Sequence, residues 1–160
     1  MITEKVSKII TGIVAILLVS YMVAVNAQEY KRYCNNRYGF CVKYPSYFGI
    51  EPAPDNGDGR RFYDRDGFVM IAYGSMNVFN DTLQSEMRSQ SQDFDKITYR
   101  FKRQNWYVLS GYKGSNILYL KTYVGNVANY LYIEYPAHQK AKYNGIAAKI
   151  SRSFKPGNLN

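Results

Sequence analysis

The chain has few of the residues on which enzyme chemistry depends. Its 160 residues include one histidine, His138, and two cysteines, Cys34 and Cys41. General acid–base and nucleophilic catalysis rely heavily on histidine, and no nucleophile-elbow motif such as Gly-x-Ser-x-Gly is present. A structural zinc site needs four cysteine or histidine ligands, more than the chain contains. The sequence therefore predicts no catalytic residues, no cofactor and no metal.

One acidic, glycine-rich stretch, Asp55–Gly59, resembles part of a calcium loop. An EF-hand loop carries oxygen ligands at positions 1, 3 and 5 and a glutamate at position 12. Counted from Asp55, positions 3 and 5 are glycines and position 12 is Asp66. A tight turn is therefore the better interpretation of this stretch. Metal binding there stays open as an alternative.

Acidic residues are scarce relative to basic ones. The chain contains 21 Lys+Arg and 12 Asp+Glu, which gives a formal net charge of +9. An excess of this size favours anionic partners, such as acidic proteins, anionic envelope polymers or lipid head groups. The plainer interpretation is that the charge only aids solubility.

The first 27 residues have the pattern of an export signal. Lys5 and Lys8 precede an apolar run, Ile9–Ala27, that closes on the small residues Val25 and Ala27. This order predicts a signal peptide over 1–27 and a mature domain over 28–160. The alternative is an uncleaved membrane anchor, because the run approaches the roughly 18–20 residues that span a bilayer. Both interpretations place the domain outside the cytoplasm, so the predicted location is periplasmic or secreted and nucleic acid is not expected as a partner.

Export also decides how the cysteines are interpreted. Cys34 and Cys41 flank a turn-prone stretch, and they lack the Cys-x-x-Cys spacing of a redox site. In an oxidising compartment such a pair is typically bonded. The sequence therefore predicts a structural disulfide between Cys34 and Cys41.

The remaining pattern predicts one α+β domain built on an antiparallel sheet. Helices are predicted from Asn80 or Asp81 onwards and over 138–154, each with an apolar stripe. Ile97, Tyr99 and Phe101 are predicted to share one face of a strand. The predicted strands cover 40–44, 60–65, 68–73, a segment from 96, 105–112, 115–124 and 127–135, with a loop over 45–60 and a hairpin turn at Asp64–Gly67.

This order of elements resembles the Mog1/PsbP-like fold. The residues that carry the resemblance are Asn36–Phe40, Tyr44–Pro45, Asn56–Gly59, Phe62 and Asp66–Gly67. The resemblance covers nearly all of residues 30–155 and implies a sandwich in which helices pack on an antiparallel sheet of about six or seven strands. It also implies binding to macromolecules rather than catalysis. Lipid-anchored relatives carry a cysteine at the cleavage site, where this chain has Gln28.

Two sets of residues are candidates for a binding surface. The first combines arginines with aromatic residues, a composition enriched at interfaces. The second is a tyrosine-rich pair of strands whose side chains would share one sheet face, unless a helix covers that face. The candidates are Arg60, Arg61, Phe62, Tyr63 and Arg65 in the first set, and Tyr119, Lys121, Tyr123, Tyr130 and Tyr132 in the second.

The function predicted from these features is an exported, non-enzymatic binding domain for an anionic macromolecule. The partner is expected to be a protein or an anionic envelope component, and a membrane only if the N-terminal segment is uncleaved. A sharper version is an inhibitor or immunity protein that masks an envelope toxin. The alternative is an envelope hydrolase or metal-dependent enzyme that uses His138 and nearby carboxylates.

Processing after Ala27 is directly testable. N-terminal sequencing of the exported protein should read Gln28-Glu29-Tyr30, because Val25 and Ala27 occupy the positions that signal peptidase requires to be small. A full-length chain that stays in membranes after carbonate extraction would show an anchor instead.

Overall fold

The structure, a computed structural model, describes residues 28–160. The predicted export segment, 1–27, lies outside the described residues. No helix in the described part is long and apolar enough to cross a membrane. The elements are β1 (Tyr30–Cys34), β2 (Cys41–Pro45), β3 (Gly49–Ile50), β4 (Gly59–Tyr63), β5 (Val69–Met76), α1 (Leu83–Ser91), β6 (Lys96–Lys102), β7 (Trp106–Lys113), β8 (Asn116–Tyr123), β9 (Val127–Pro136) and, after a 3-10 turn at Ala137–Gln139, α2 (Lys140–Ser153).

Seven of these strands form one antiparallel sheet in the order β3-β4-β5-β9-β8-β7-β6, and β1 and β2 form a separate hairpin. This arrangement confirms the predicted α+β fold and the meander of β7, β8 and β9. The predicted loop over 45–60 also contains a short strand, β3, in which Gly49 and Ile50 pair with Tyr63 and Phe62.

Hydrophobic clusters cover the two faces of the large sheet unequally. On one face, here called the α2 face, α2 and the β1–β2 hairpin pack on the sheet, and Phe40, Phe62, Phe68 and Phe154 are fully buried. Burial of each such side chain contributes about 1.5–3 kcal/mol, so this cluster supplies most of the hydrophobic stabilisation. On the other, the α1 face, the smaller cluster consists of Tyr107, Leu109, Leu118 and Leu120 beneath Leu83, Met87 and Phe94.

Helix α1 begins later than predicted. Its N-cap is Thr82, whose hydroxyl accepts a hydrogen bond from the Ser85 amide at 3.1 Å, so the expectation of Asn80 or Asp81 is wrong. The two residues are used in the preceding turn instead. Asn80 has φ 54°, and the Asp81 amide donates to the Asn77 side chain at 2.8 Å.

A β-bulge overturns the predicted face of β6. Ile97 pairs with Gly111 and Tyr99 pairs with Ser110, so Thr98 is an extra residue in the strand. Ile97 therefore packs in the cluster on the α1 face, while Phe101 contacts Trp106 on the α2 face, with ring centroids 5.2 Å apart. An inserted residue reverses the alternation of side chains that follow it.

The predicted disulfide is confirmed. Cys34 and Cys41 are bonded, with their Cα atoms 4.1 Å apart, and they pair across β1 and β2. The turn they enclose is held by the buried Asn35, whose side chain accepts from the Tyr38 amide at 2.7 Å. Gly39 closes this turn at φ 71°, a conformation that other residues adopt only with strain.

Replacing both cysteines, Cys34→Ser with Cys41→Ser, should lower the free energy of unfolding by about 2–3 kcal/mol, because a crosslink across a short loop restricts the unfolded chain. Urea denaturation of the two proteins measures this difference. Alkylation of the wild type without reductant, followed by intact-mass measurement, provides the check: two adducts per chain would show free thiols.

Candidate binding surface

The strand register separates the tyrosines that were predicted to share one face. Tyr119 pairs with Ile133, whereas Tyr130 pairs with Thr122 and Tyr132 pairs with Leu120. Tyr119 and Tyr123 therefore lie on the α2 face, and Tyr130 and Tyr132 lie on the α1 face. The prediction of a single tyrosine surface is wrong, because it required a register offset by one residue, which moves every side chain of a strand to the other face.

The residues on the α2 face are used to hold helix α2. Lys121 is buried, and its Nζ donates to the Ser151 carbonyl at 3.0 Å in the last turn of the helix. The Tyr119 hydroxyl is 2.5 Å from that of Ser151. The Lys121 ammonium also lies over the rings of Trp106 and Tyr123, 5.1 and 5.2 Å from their centroids. Helix α2 thus covers this part of the predicted surface.

The electrostatic environment of Lys121 is unusual. Burial, with a smaller contribution from the nearby Lys155, lowers the pKa of Lys121 to about 8. Its remaining stabilisation comes from the carbonyl end of α2, where the helix dipole favours a cation. Lys121 therefore fixes the end of α2.

The arginine-aromatic segment is also divided by strand alternation. Phe62 is fully buried in the core. Arg60 is half-buried, donates to the Glu51 carbonyl at 3.0 Å and lies over the Tyr33 ring, 6.0 Å from its centroid. Arg65 is exposed in the β4–β5 turn, at a cleft of about 560 Å³ that Tyr63 also lines. Of the five residues in this segment, Arg61 and Tyr63 are the two that project from the α1 face of the sheet.

These two residues join part of the tyrosine set on an uncovered half of the α1 face. Arg61 pairs with Ile71, which pairs with Tyr132; Tyr63 pairs with Val69, which pairs with Glu134. Helix α1 packs on β7 and β8 and places Glu86 beside Tyr73 of β5 and Tyr130 of β9. Within residues 28–160, the opposite half of β4, β5 and β9, beyond Tyr132, has no helix packed on it. We call this surface the open face; it consists of Arg61, Tyr63, Val69, Ile71, Tyr132 and Glu134.

The open face combines apolar area with fixed polar groups. Tyr63 is 40% exposed, and the Arg61 side chain, 43% exposed, forms an ion pair with Glu51. The Tyr132 hydroxyl donates to Glu134, which also accepts from the Asn116 side chain at 2.6 Å. Burial and this bond raise the pKa of Tyr132, so the phenol stays protonated. Such a surface suits protein recognition, in which tyrosine and arginine are enriched.

The candidates for catalysis and for metal binding are His138 and the stretch Asp55–Gly59. His138 is exposed in the 3-10 turn before α2. Within residues 28–160, no three His, Cys, Asp or Glu side chains gather to hold a metal ion. The stretch Asp55–Gly59 forms a turn, in which the Asp58 carboxylate accepts from Arg37 at 2.8 Å and from Asn56 at 2.7 Å.

A carboxylate cluster lies at the β4–β5 turn. Lys142 of α2 pairs with Asp66 at 2.5 Å. Asp64, 5% exposed, accepts from the Tyr143 hydroxyl and from the Phe68 amide. The cluster thus ties the turn to α2. Lys142 and Tyr143 are more than 70 residues from Asp64 and Asp66 in the chain, so no local sequence pattern reveals these contacts.

Sequence reasoning also missed an exposed apolar loop after β5. Val78 and Phe79 in this loop are 70% and 86% exposed, and Met76, the last residue of β5, is 56% exposed. The Asn77 side chain holds the loop by donating to the carbonyls of Asp81 and Gly125, both at 2.9 Å. Two adjacent apolar residues directly before Asn80-Asp81, outside any strand pattern, were the available signal.

Solved structures identify the fold. The chain is similar to the solution structure of the PsbP protein CyanoP from the cyanobacterium Synechocystis sp. PCC 6803, with TM-score 0.59 and 13% identity over 82% of this chain and 95% of CyanoP. It is similar to the crystal structure of the Ran-binding protein Mog1p from Saccharomyces cerevisiae, with TM-score 0.53 and 10% identity over 81% of this chain and 96% of Mog1p. No protein-family model and no curated protein matches the sequence. The domain has the Mog1/PsbP-like fold, as the resemblance implied.

The buried Lys121 predicts a specific pH dependence of stability. Its folded-state pKa of about 8 lies below the ordinary value of 10.5, so between these values the unfolded chain holds a proton that the folded chain has released. Stability should therefore rise with pH across this window relative to a Lys121→Met variant. Urea titrations of both proteins at several pH values from about 7.5 to 9.5 measure the difference, with an upper limit below the range in which tyrosines ionise. Parallel stability curves would contradict a lowered pKa.

Proposed function

We propose that residues 28–160 form an exported, non-enzymatic binding domain that engages a protein partner through the open face. The observation that carries the proposal is the coverage of the large sheet. On the α2 face, α2 and the hairpin bury the larger cluster, whereas one half of β4, β5 and β9 presents aromatic, aliphatic and charged side chains on the α1 face with no helix of the described part above them. Exposed apolar area framed by polar groups is characteristic of interaction sites.

The composition of the open face favours a protein over a small molecule. Tyrosine and arginine account for a large share of the binding energy at protein interfaces. The surface is built from the side chains of three neighbouring strands, and of its six residues only Tyr63 lines a cleft, whereas small-molecule sites enclose most of their ligand. Arg61 offers a forked guanidinium already oriented by Glu51, so a carboxylate on the partner can join this pair.

A solved structure with the same fold supports this proposal. Mog1p is described as a Ran-binding protein, so one protein with this fold binds another protein. The scaffold is therefore compatible with protein binding. The disulfide supports an extracytoplasmic location, where such bonds persist.

An inhibitor or immunity protein is the more specific form of the proposal. A scaffold fixed by a disulfide and two cores presents the open face with little loss of conformational entropy on binding, which favours tight complexes. The partner would then be an envelope enzyme or toxin whose active surface the domain masks.

Photocrosslinking identifies the partner and locates the contact. A photoreactive amino acid at Ile71 should trap the partner in cells, while the same group at Thr98, on the far edge strand β6, should not. An equal yield of the same product at both positions would argue against the open face.

Substitutions in the open face should weaken the complex with the trapped partner. Arg61→Ala with Tyr132→Ala should lower affinity by at least about tenfold, as for loss of interface hot spots. Arg100→Ala with Tyr99→Ala removes the same side-chain types from exposed positions on β6 and should leave affinity unchanged. Titration calorimetry measures both, and equal losses in the two variants would contradict the assignment.

A further inference from the structure

The net charge of the domain lies entirely on one layer of the fold. Residues 30–50 and 137–160, which include β1, β2, α2 and the two-residue edge strand β3, contain nine Lys or Arg and no Asp or Glu. Residues 51–136, which include the rest of the large sheet and α1, contain ten basic and ten acidic residues. Glu29 is the one acidic residue outside these ranges after position 27. A charge needed only for solubility has no reason to be segregated in this way.

Most of these cations have no carboxylate partner. Arg37 pairs with Asp58, and Lys142 pairs with Asp66. Within residues 28–160, no carboxylate lies within 4.0 Å of the other seven, which are Lys31, Arg32, Lys43, Lys140, Lys149, Arg152 and Lys155.

Three of the unpaired cations lie on adjacent extended segments. Arg32 of β1 is directly opposite Lys43 of β2, and Lys155 continues the arrangement, because its backbone pairs with Cys41 through hydrogen bonds of 2.9 and 3.0 Å. The alternate residues, Tyr33, Val42 and Phe154, point into the core, so the three cations point away from it. Like charges directly opposite each other destabilise a sheet, which indicates a role outside the fold.

Helix α2 extends this array. Lys149 lies over the Tyr30 ring, with its Nζ 4.0 Å from the centroid, and Arg152 is exposed in the last turn. We call the resulting surface the basic face; it consists of Tyr30, Arg32, Lys43, Lys149, Arg152 and Lys155. It belongs to the layer that covers the α2 face, so the large sheet lies between it and the open face.

We propose that the basic face holds the domain against an anionic lipid bilayer. Charge complementarity is the first argument, since each basic residue near an anionic membrane surface strengthens binding about fivefold. The position of the preceding chain is the second. The described residues begin beside this face, where Glu29 accepts from the Ser46 amide at 2.9 Å and Tyr30 pairs with Pro45. This argument rests on the proposed export: the apolar run Ile9–Ala27 directly precedes these residues, so export would deliver the basic layer next to a membrane.

The geometry makes this binding compatible with the proposed function. A domain resting on its basic face would turn the open face away from the membrane, towards a partner in solution.

Residues 28–160 are a suitable protein for the test, because both cores and all nine described strands lie within them, and they match 95% of a chain solved on its own.

Vesicle flotation tests the proposal. Residues 28–160 should float with phosphatidylcholine vesicles that contain phosphatidylglycerol and not with pure phosphatidylcholine. Binding should be lost when salt is raised from about 0.1 M to about 1 M, which shortens the screening length from roughly 10 Å to 3 Å. The variant Arg32→Glu, Lys43→Glu, Lys155→Glu should bind anionic vesicles at least tenfold more weakly.

A matched variant separates the basic face from total charge. Lys96→Glu, Arg100→Glu, Lys113→Glu changes the net charge by the same amount at exposed positions on β6 and β7 and should keep most of the binding. Near-UV circular dichroism checks folding, and the corresponding Gln triple variants replace any Glu variant that unfolds. Equal loss in both triple variants, no binding to anionic vesicles, or binding to soluble polyglutamate but not to vesicles would each overturn the proposal. Crosslinking from Ile71 reports on the open face independently.

Discussion

The coverage of the seven-stranded sheet is the constraint on which the rest of the structure depends. Six spacings of about 4.8 Å make this sheet roughly 29 Å wide. A helix is about 10 Å across and covers about two strands. On one face, α2 and the disulfide-bonded hairpin lie side by side over the sheet and bury the larger cluster. On the other face, α1 alone has nine residues and covers β7 and β8. The open face is the area that remains.

Polar groups inside the covered layer position the helix that covers it. Lys121 reaches the carbonyls at the end of α2, and the Asp64–Tyr143 bond with the Lys142–Asp66 pair holds its beginning. A buried ammonium is unfavourable unless its bonds are satisfied, and here the helix end supplies them. Helix α2 therefore has a fixed position, and with it the basic residues that it carries.

Local sequence patterns predicted which helices and strands form. Pairing between strands that are distant in the sequence decided which side chains lie on each face of the sheet. Alternation and turn residues located the meander and the closing helix, since both signals lie within a few residues. The register of β8 against β9 and the bulge at Thr98 depend on contacts with other strands, so the tyrosines and Ile97 were assigned to the wrong faces. In the strand segment Arg60–Tyr63, successive side chains point to opposite faces, so Arg61 and Tyr63 lie on the other face from the core residue Phe62. The prediction from composition placed all of them on one surface.

The central claim is that one half of the α1 face is open, whereas α1 covers the cluster on its other half. Hydroxyl-radical footprinting of the unmodified protein tests it directly, because tyrosines lie on both sides of the boundary. Tyr63 of the open face, 40% exposed, should be oxidised readily and the half-buried Tyr132 more slowly, whereas Tyr107 beneath α1 and Tyr143 on the inner side of α2, both fully buried, should be protected. Protection of Tyr63 and Tyr132 equal to that of Tyr107 would contradict the claim, because it would mean that another layer covers β4, β5 and β9.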